Sequence, residues 1–144
     1  MTTGVYSRAM SRPRKAAPTG LALAFSASGI VHVLRPQFFE SIMPRSIPAR
    51  HHRVLIYVSG VAELICAVGL FRRKPWAAAA STAVLVGVFP ANVQMALDAG
   101  SGRNPGATDN AALAWGRLPL QAVMIWAARQ ARVPSEDEVA GSAA

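Results

Sequence analysis

The sequence predicts an all-α fold, an integral membrane four-helix bundle with a short interfacial helix after the first span. Composition is the first observation. Of 144 residues, 52% are hydrophobic and 15% charged, and the mean hydropathy is +0.29. A soluble chain this short keeps much of its surface wet and has no core large enough to hide so much apolar side chain. The second observation is four mostly apolar stretches of 18 to 22 residues, against the roughly 17 to 20 that a bilayer requires. The third is the placement of Lys and Arg in short runs between those stretches. A net charge of +8 and a pI near 11.3 suggest nucleic acid only when the cations share one face, so no nucleic-acid partner is expected.

Residues 1–15 read as a basic cytoplasmic tail and residues 16–132 as the transmembrane domain. The spans are Ala16–Leu34, Val54–Phe71, Trp76–Leu97 and Ala111–Ala128, the last interrupted by Arg117 and Gln121. Backbone groups in lipid must be satisfied within the segment, so each is a helix. A basic tail leading into an apolar stretch with Ser26-Ala27-Ser28 also admits a cleaved signal peptide. Between the first two spans, Pro36 starts a short helix whose Phe38, Phe39, Ile42 and Met43 form an apolar stripe along the membrane surface. Pro44 and Pro48 end it. Pro75 suits the first turn of the third helix. Tyr57, Trp76, Trp115 and Trp126 fall near span ends, as interfacial anchors do. The connection from Asp98 to Asn110 is Gly-rich and reads as an exposed loop. Residues 133–144, with Glu136, Asp137 and Glu138, read as a disordered acidic tail.

Orientation follows from the cations in short loops. Arg8, Arg12, Arg14, Lys15, Arg72, Arg73, Lys74, Arg129 and Arg132 lie on one side; Arg35, Arg45, Arg50, Arg53 and Arg103 lie on the other. A multi-pass protein of the cell membrane with both termini cytoplasmic is expected.

Ionisable side chains within bilayer helices are costly, face the bundle interior, pair with one another and mark functional candidates. Counting 1.5 Å per residue from the outer ends places His32 roughly 3 Å deep, Asn92 about 8 Å, Arg117 about 9 Å and Glu63 about 14 Å. These four, with Gln94 and Gln121, define a polar cluster in the external half of the bundle. Glu63 and Arg117 are expected to pair, since either alone is penalised. The pair either locks the second span to the fourth or serves a ligand. His32 reads as a proton-transfer or anion-binding group, or as a helix-end hydrogen-bonding residue. Ser59 and Ala67 around Glu63, and Ala24 and Ser28 below His32, are small residues that admit a close helix neighbour. Pro90 and Pro119 remove the hydrogen bonds to the Val86 and Trp115 carbonyls and bend the last two helices around the cluster or for packing. Adjacent His51 and His52 make poor chelators, so no metal is expected. The single Cys66 rules out an intrachain disulfide or CxxC pair.

Taken in order, several runs resemble the DoxX-like family of small four-helix membrane proteins. They are Gly29-Ile30-Val31-His32 with Arg35-Pro36 and Phe38-Phe39, Met43-Pro44, Ile47-Pro48, Tyr57 to Leu64, Val88 to Ala96, and Arg117-Leu118-Pro119-Leu120-Gln121. The resemblance covers roughly residues 20 to 130. It implies a four-helix membrane protein loosely tied to redox function, with relatives acting in thiosulfate to quinone oxidoreduction, in thiol and oxidative stress, or as assembly and cargo helpers. It assigns no catalytic residue.

The expectation is an accessory subunit of a quinone- or thiol-linked membrane redox system. Arg117 and Asn92 would donate to quinone oxygens while Glu63 or His32 passes protons. The chain carries no self-contained catalytic motif, so electrons come from partner subunits, and a quinone is the one cofactor the cluster suggests. The alternative is a lipid-binding, scaffold or assembly protein in which the cluster is structural. Membrane lipid and other membrane subunits, or further copies of the chain, are the expected partners. A transporter or channel ranks last, because no transporter-type repeat is visible.

Overall fold

The computed structural model describes residues 3–131, with side chains from Ala16 onward. The elements are α1 (Thr3–Leu34), α2 (Gln37–Glu40), α3 (Ala49–Phe71), α4 (Ala77–Asp98), a 3-10 turn over Gly106–Asp109, and α5 (Ala111–Arg129). There is no strand among the described residues. Ala16–Leu34, Ala49–Phe71 and Ala77–Asp98 are long and apolar enough to cross a membrane. The fourth expected span is helical over 19 residues, but Arg117 and Gln121 lower its average hydropathy below that of the other three. Helix α1 starts at Thr3, so the basic tail expected over residues 1–15 is largely a helical extension of the first span. The acidic tail expected over residues 133–144 lies outside the described residues.

The helices pack as two intimate pairs, α1 with α3 and α4 with α5. Gly29 and Gly60 explain the first. A Cβ on Gly29 would sit 2.7 Å from the Gly60 carbonyl oxygen, and one on Gly60 would sit 2.6 Å from the His32 Cβ. Without side chains there, two backbones approach closely and gain dispersion contacts. Of the small residues expected to admit a neighbour, Ala67 is buried in a cluster with Leu21 and Phe25 of α1, and Gly60, next to Ser59, adds a tight approach.

The turn from α3 to α4 is tight. Lys74 N–H donates to the Gly69 carbonyl at 2.9 Å and Arg73 N–H to Leu70 at 3.1 Å, a helix ending that requires a left-handed residue. Arg73 takes that conformation at φ 51°. Trp76 then closes over Gly69, where a Cβ would lie 2.6 Å from the indole. Helix α4 starts at Ala77, so Pro75 precedes the helix and does not sit in its first turn.

Two apolar clusters hold the bundle. One, near the α3–α4 turn, joins Leu21, Phe25, Ala67, Leu70, Leu85 and Ala128. The other, at the opposite end, joins Ile42, Met95, Ala96 and Ala114. Outward-facing Val54, Ile65, Val86 and Val123 are each more than half exposed, the pattern of a surface suited to lipid rather than water.

The connection from α1 to α3 departs from expectation. Pro36 does start a helix, but α2 ends after one turn at Glu40. Ile42 is buried in the second cluster and Phe39 packs against it, so much of the expected surface stripe faces the bundle. Pro48 begins α3, so Arg50, His51, His52 and Arg53 are helical and lie outside the loop where the sequence placed them. Arg53 Nε donates to Glu40 Oε1 at 2.9 Å.

Candidate functional site

A cleft of about 590 Å³ lies between the two apolar clusters, lined by residues from α1, the α1–α3 connection, α3, α4 and α5. Of the six polar residues singled out from sequence, His32, Glu63, Asn92, Arg117 and Gln121 line it. Gln94 does not. Its Nε2 donates to Asp98 Oδ2 at 2.7 Å, one helical turn toward the loop.

The expected Glu63–Arg117 ion pair is not formed. Glu63 faces α1, with one carboxylate oxygen 3.6 Å from His32 Nδ1. That histidine nitrogen lies 2.8 Å from the Ser28 carbonyl, which can only accept, so Nδ1 carries the proton and directs it there. That same oxygen, Oε2, accepts no hydrogen bond although the residue is 4% exposed. Arg117 reaches the Met95 sulfur at 3.8 Å, and no carboxylate pairs with it among the described residues. The depth count had put Glu63 about 11 Å below His32. The two are level because α3 begins at Ala49 and projects past the end of α1, with the Gly29–Gly60 contact fixing the register.

The opposite wall is internally satisfied. Asn92 Nδ2 donates to Gln121 Oε1 at 3.0 Å, and Gln121 Nε2 donates to the Leu85 carbonyl. That carbonyl adjoins Val86, whose usual N–H partner Pro90 lacks. Gln121, 4% exposed, therefore ties α5 to α4 at the proline. The His32 ring stacks on Phe39, centroids 3.7 Å apart and planes 14° from parallel. Phe39, Ile42 and Arg117 line both the cleft and a smaller pocket of about 330 Å³ under Pro105, Gly106 and Thr108. Arg117 thus stands at the mouth between interior and loops.

The chain belongs to the DUF8561 family. The family, described as a domain of unknown function, matches over residues 21–132, which span α1 from Leu21 through α5 and hence the entire cleft. No curated protein and no solved structure matches the chain.

In this DUF8561 domain the feature that sequence reasoning missed is a built loop over the second apolar cluster. Asp98, 5% exposed, accepts from Arg45 at 2.5 Å and from Arg103 at 3.1 Å through Oδ1. Its backbone carbonyl accepts from Ser101 Oγ at 2.6 Å. Asn104 Nδ2 donates to the Met95 carbonyl at 2.9 Å, and Asn110 caps α5 by accepting from Leu113 N–H at 3.2 Å. The connection is exposed as expected over Gly100–Arg103, Gly106, Ala107 and Asn110, and buried Asp98 and Asn104 tie it down as a lid on the second apolar cluster. One signal was present in the sequence: Asp98 ends a span and is followed five residues on by Arg103. Ser28 and Ser59, also in the cleft lining, were read as packing residues.

Among the described residues no group of His, Cys, Asp or Glu is arranged to hold a metal. Cys66 is buried within the first apolar cluster.

Proposed function

We propose that this chain is a membrane-embedded binding subunit, DoxX-like in architecture, whose cleft holds the polar head of an amphiphile for a larger membrane complex. The observation that carries the proposal is the cleft itself. Its walls are mostly apolar, and the few polar groups it contains converge from four helices, the arrangement by which small-molecule sites combine affinity with orientation. Leu55, Val58 and Leu120 line it and are 40%, 59% and 51% exposed, so it opens sideways through apolar side chains. A ligand with a hydrocarbon portion can extend through that opening into lipid. The chain acts by binding, as a scaffold or accessory subunit, and partner subunits or further copies of the chain complete the assembly.

One observation favours a second reading, the accessory subunit of a quinone-linked redox system. A guanidinium without a carboxylate partner on one wall and a carboxylate oxygen that accepts no hydrogen bond on another suit the two oxygens of a quinol ring, with Arg117 donating and Glu63 accepting a proton. Asn92, expected to share that role, already donates to Gln121.

Both readings place both termini in the cytoplasm and the Asp98–Asn110 lid on the outer face. The chain should be purified from its native membrane in a gentle amphiphile and its companions identified by mass spectrometry. Retained phospholipid with a membrane complex unrelated to redox chemistry supports the first reading. A stoichiometric oxidoreductase partner with bound quinone moves the assignment to the second. A chain carrying no amphiphile refutes both.

A further inference from the structure

Glu63 and Arg117 line one cleft with opposite formal charges and do not pair. An unpartnered charge within a bundle is strongly disfavoured, and the usual remedy is the opposite charge nearby. Here the carboxylate is held on α3 by the Gly29–Gly60 crossing, and the guanidinium extends from α5 toward the Met95 sulfur. Glu63 Oε2, with His32 Nδ1 3.6 Å away, accepts no hydrogen bond, and Arg117 is exposed at the mouth with no carboxylate partner among the described residues; both are left to meet a complementary group, and the cleft between them opens sideways through Val58 and Leu120.

From this charge separation we infer that the cleft binds a zwitterionic phospholipid bearing a primary ammonium group, its ammonium on Glu63 and its phosphate on Arg117. The inference rests on the binding reading above and names its ligand. Three features argue for this head group. Arg117 stands at the mouth, shared by the cleft and the pocket under the lid, and a guanidinium suits two phosphate oxygens at once. Glu63 Oε2 and Ser59 Oγ, one helical turn apart on α3, are both buried without a hydrogen-bond partner, so two acceptors await a group with several N–H donors. An ammonium has three. A quaternary choline has none, the glycerol of an anionic head group is neutral and brings hydroxyls but no cation to the carboxylate, and a quinone brings no charge to either wall. The acyl chains leave through the side opening, past Val58 and Leu120.

The test uses the full chain, stripped of lipid in detergent and offered an equimolar mixture of dioleoyl phosphatidylethanolamine, phosphatidylcholine, phosphatidylglycerol and a ubiquinone. Native mass spectrometry counts what is retained. Wild type should hold one phosphatidylethanolamine about tenfold over each competitor, the effect of one charge-assisted hydrogen bond set. Glu63→Gln should keep phospholipid but lose the preference, and Arg117→Gln should lower occupancy by every phospholipid about tenfold. Stepwise N-methylation of the lipid, which leaves the protein untouched, should erode the preference with each N–H removed. Equal retention of the methylated lipids, or preference for phosphatidylglycerol, overturns the head-group assignment while the binding reading stands. Preference for the quinone overturns it in favour of the redox reading, and no retention of any amphiphile overturns the binding reading itself.

Discussion

Substituting Gly60 by alanine tests the packing that sets the level of the cleft residues. The added Cβ meets the His32 Cβ at 2.6 Å and the Gly29 carbonyl at 3.1 Å. Neither obstacle is the free end of a flexible side chain, so α1 and α3 must separate. Overpacking of this kind costs about 1–3 kcal/mol, and fixed neighbours place Gly60 toward the upper end. Removing a glycine from a helix interior returns about 1 kcal/mol. The net expectation is a loss of about 1–2 kcal/mol, with His32 carried away from Glu63 as the helices part. Gly116→Ala is the internal control. Nothing lies within 4 Å of a Cβ there, so only the helix gain operates and stability should rise by up to about 1 kcal/mol. Reversible unfolding in mixed micelles, followed by far-UV circular dichroism, reads both variants against wild type. Opposite signs are expected. If Gly60→Ala is as stable as Gly116→Ala, the α1–α3 approach is looser than described and the explanation for the level of Glu63 fails.

Three further outcomes follow from particular contacts. Asp98→Asn removes the charge on which Arg45 and Arg103 converge. The arginines are largely exposed, so the cost should be only about 1 kcal/mol and should shrink in high salt, read as faster amide exchange over residues 99–110. Gln121→Leu leaves Asn92 without its partner and should destabilise by about 1–2 kcal/mol; adding Asn92→Leu should recover most of that loss in the same unfolding assay, and failure to recover would show that the pair is not coupled. Arg73→Gly relieves a left-handed non-glycine residue and should stabilise by about 1 kcal/mol, with unfolding midpoints as the check and no gain refuting the strain.

What local pattern carries was legible in the chain. Runs such as Val54 to Phe71 announce helices, because spacing and composition act within a few turns. The start of α3 at Ala49 was misread because Arg50 to Arg53 look like loop, although a helix end projecting beyond the apolar zone tolerates such charge. Five of the six polar residues chosen from sequence do meet in one cleft, since polar side chains on separate apolar helices gather away from the apolar outer surface. Their pairing was not legible. Glu63 with Arg117 is the natural match on charge alone, yet Glu63 faces His32 and Gln121 faces Leu85.

Composition and charge placement alone determined that this chain is helical, apolar on its outside and polar at a few interior positions, since each of those properties is a sum over neighbouring residues. Only the tertiary structure decided which of those positions meet. Partnership depends on helix register, and register here is set by the close contact of two glycines 31 residues apart, which no local pattern records.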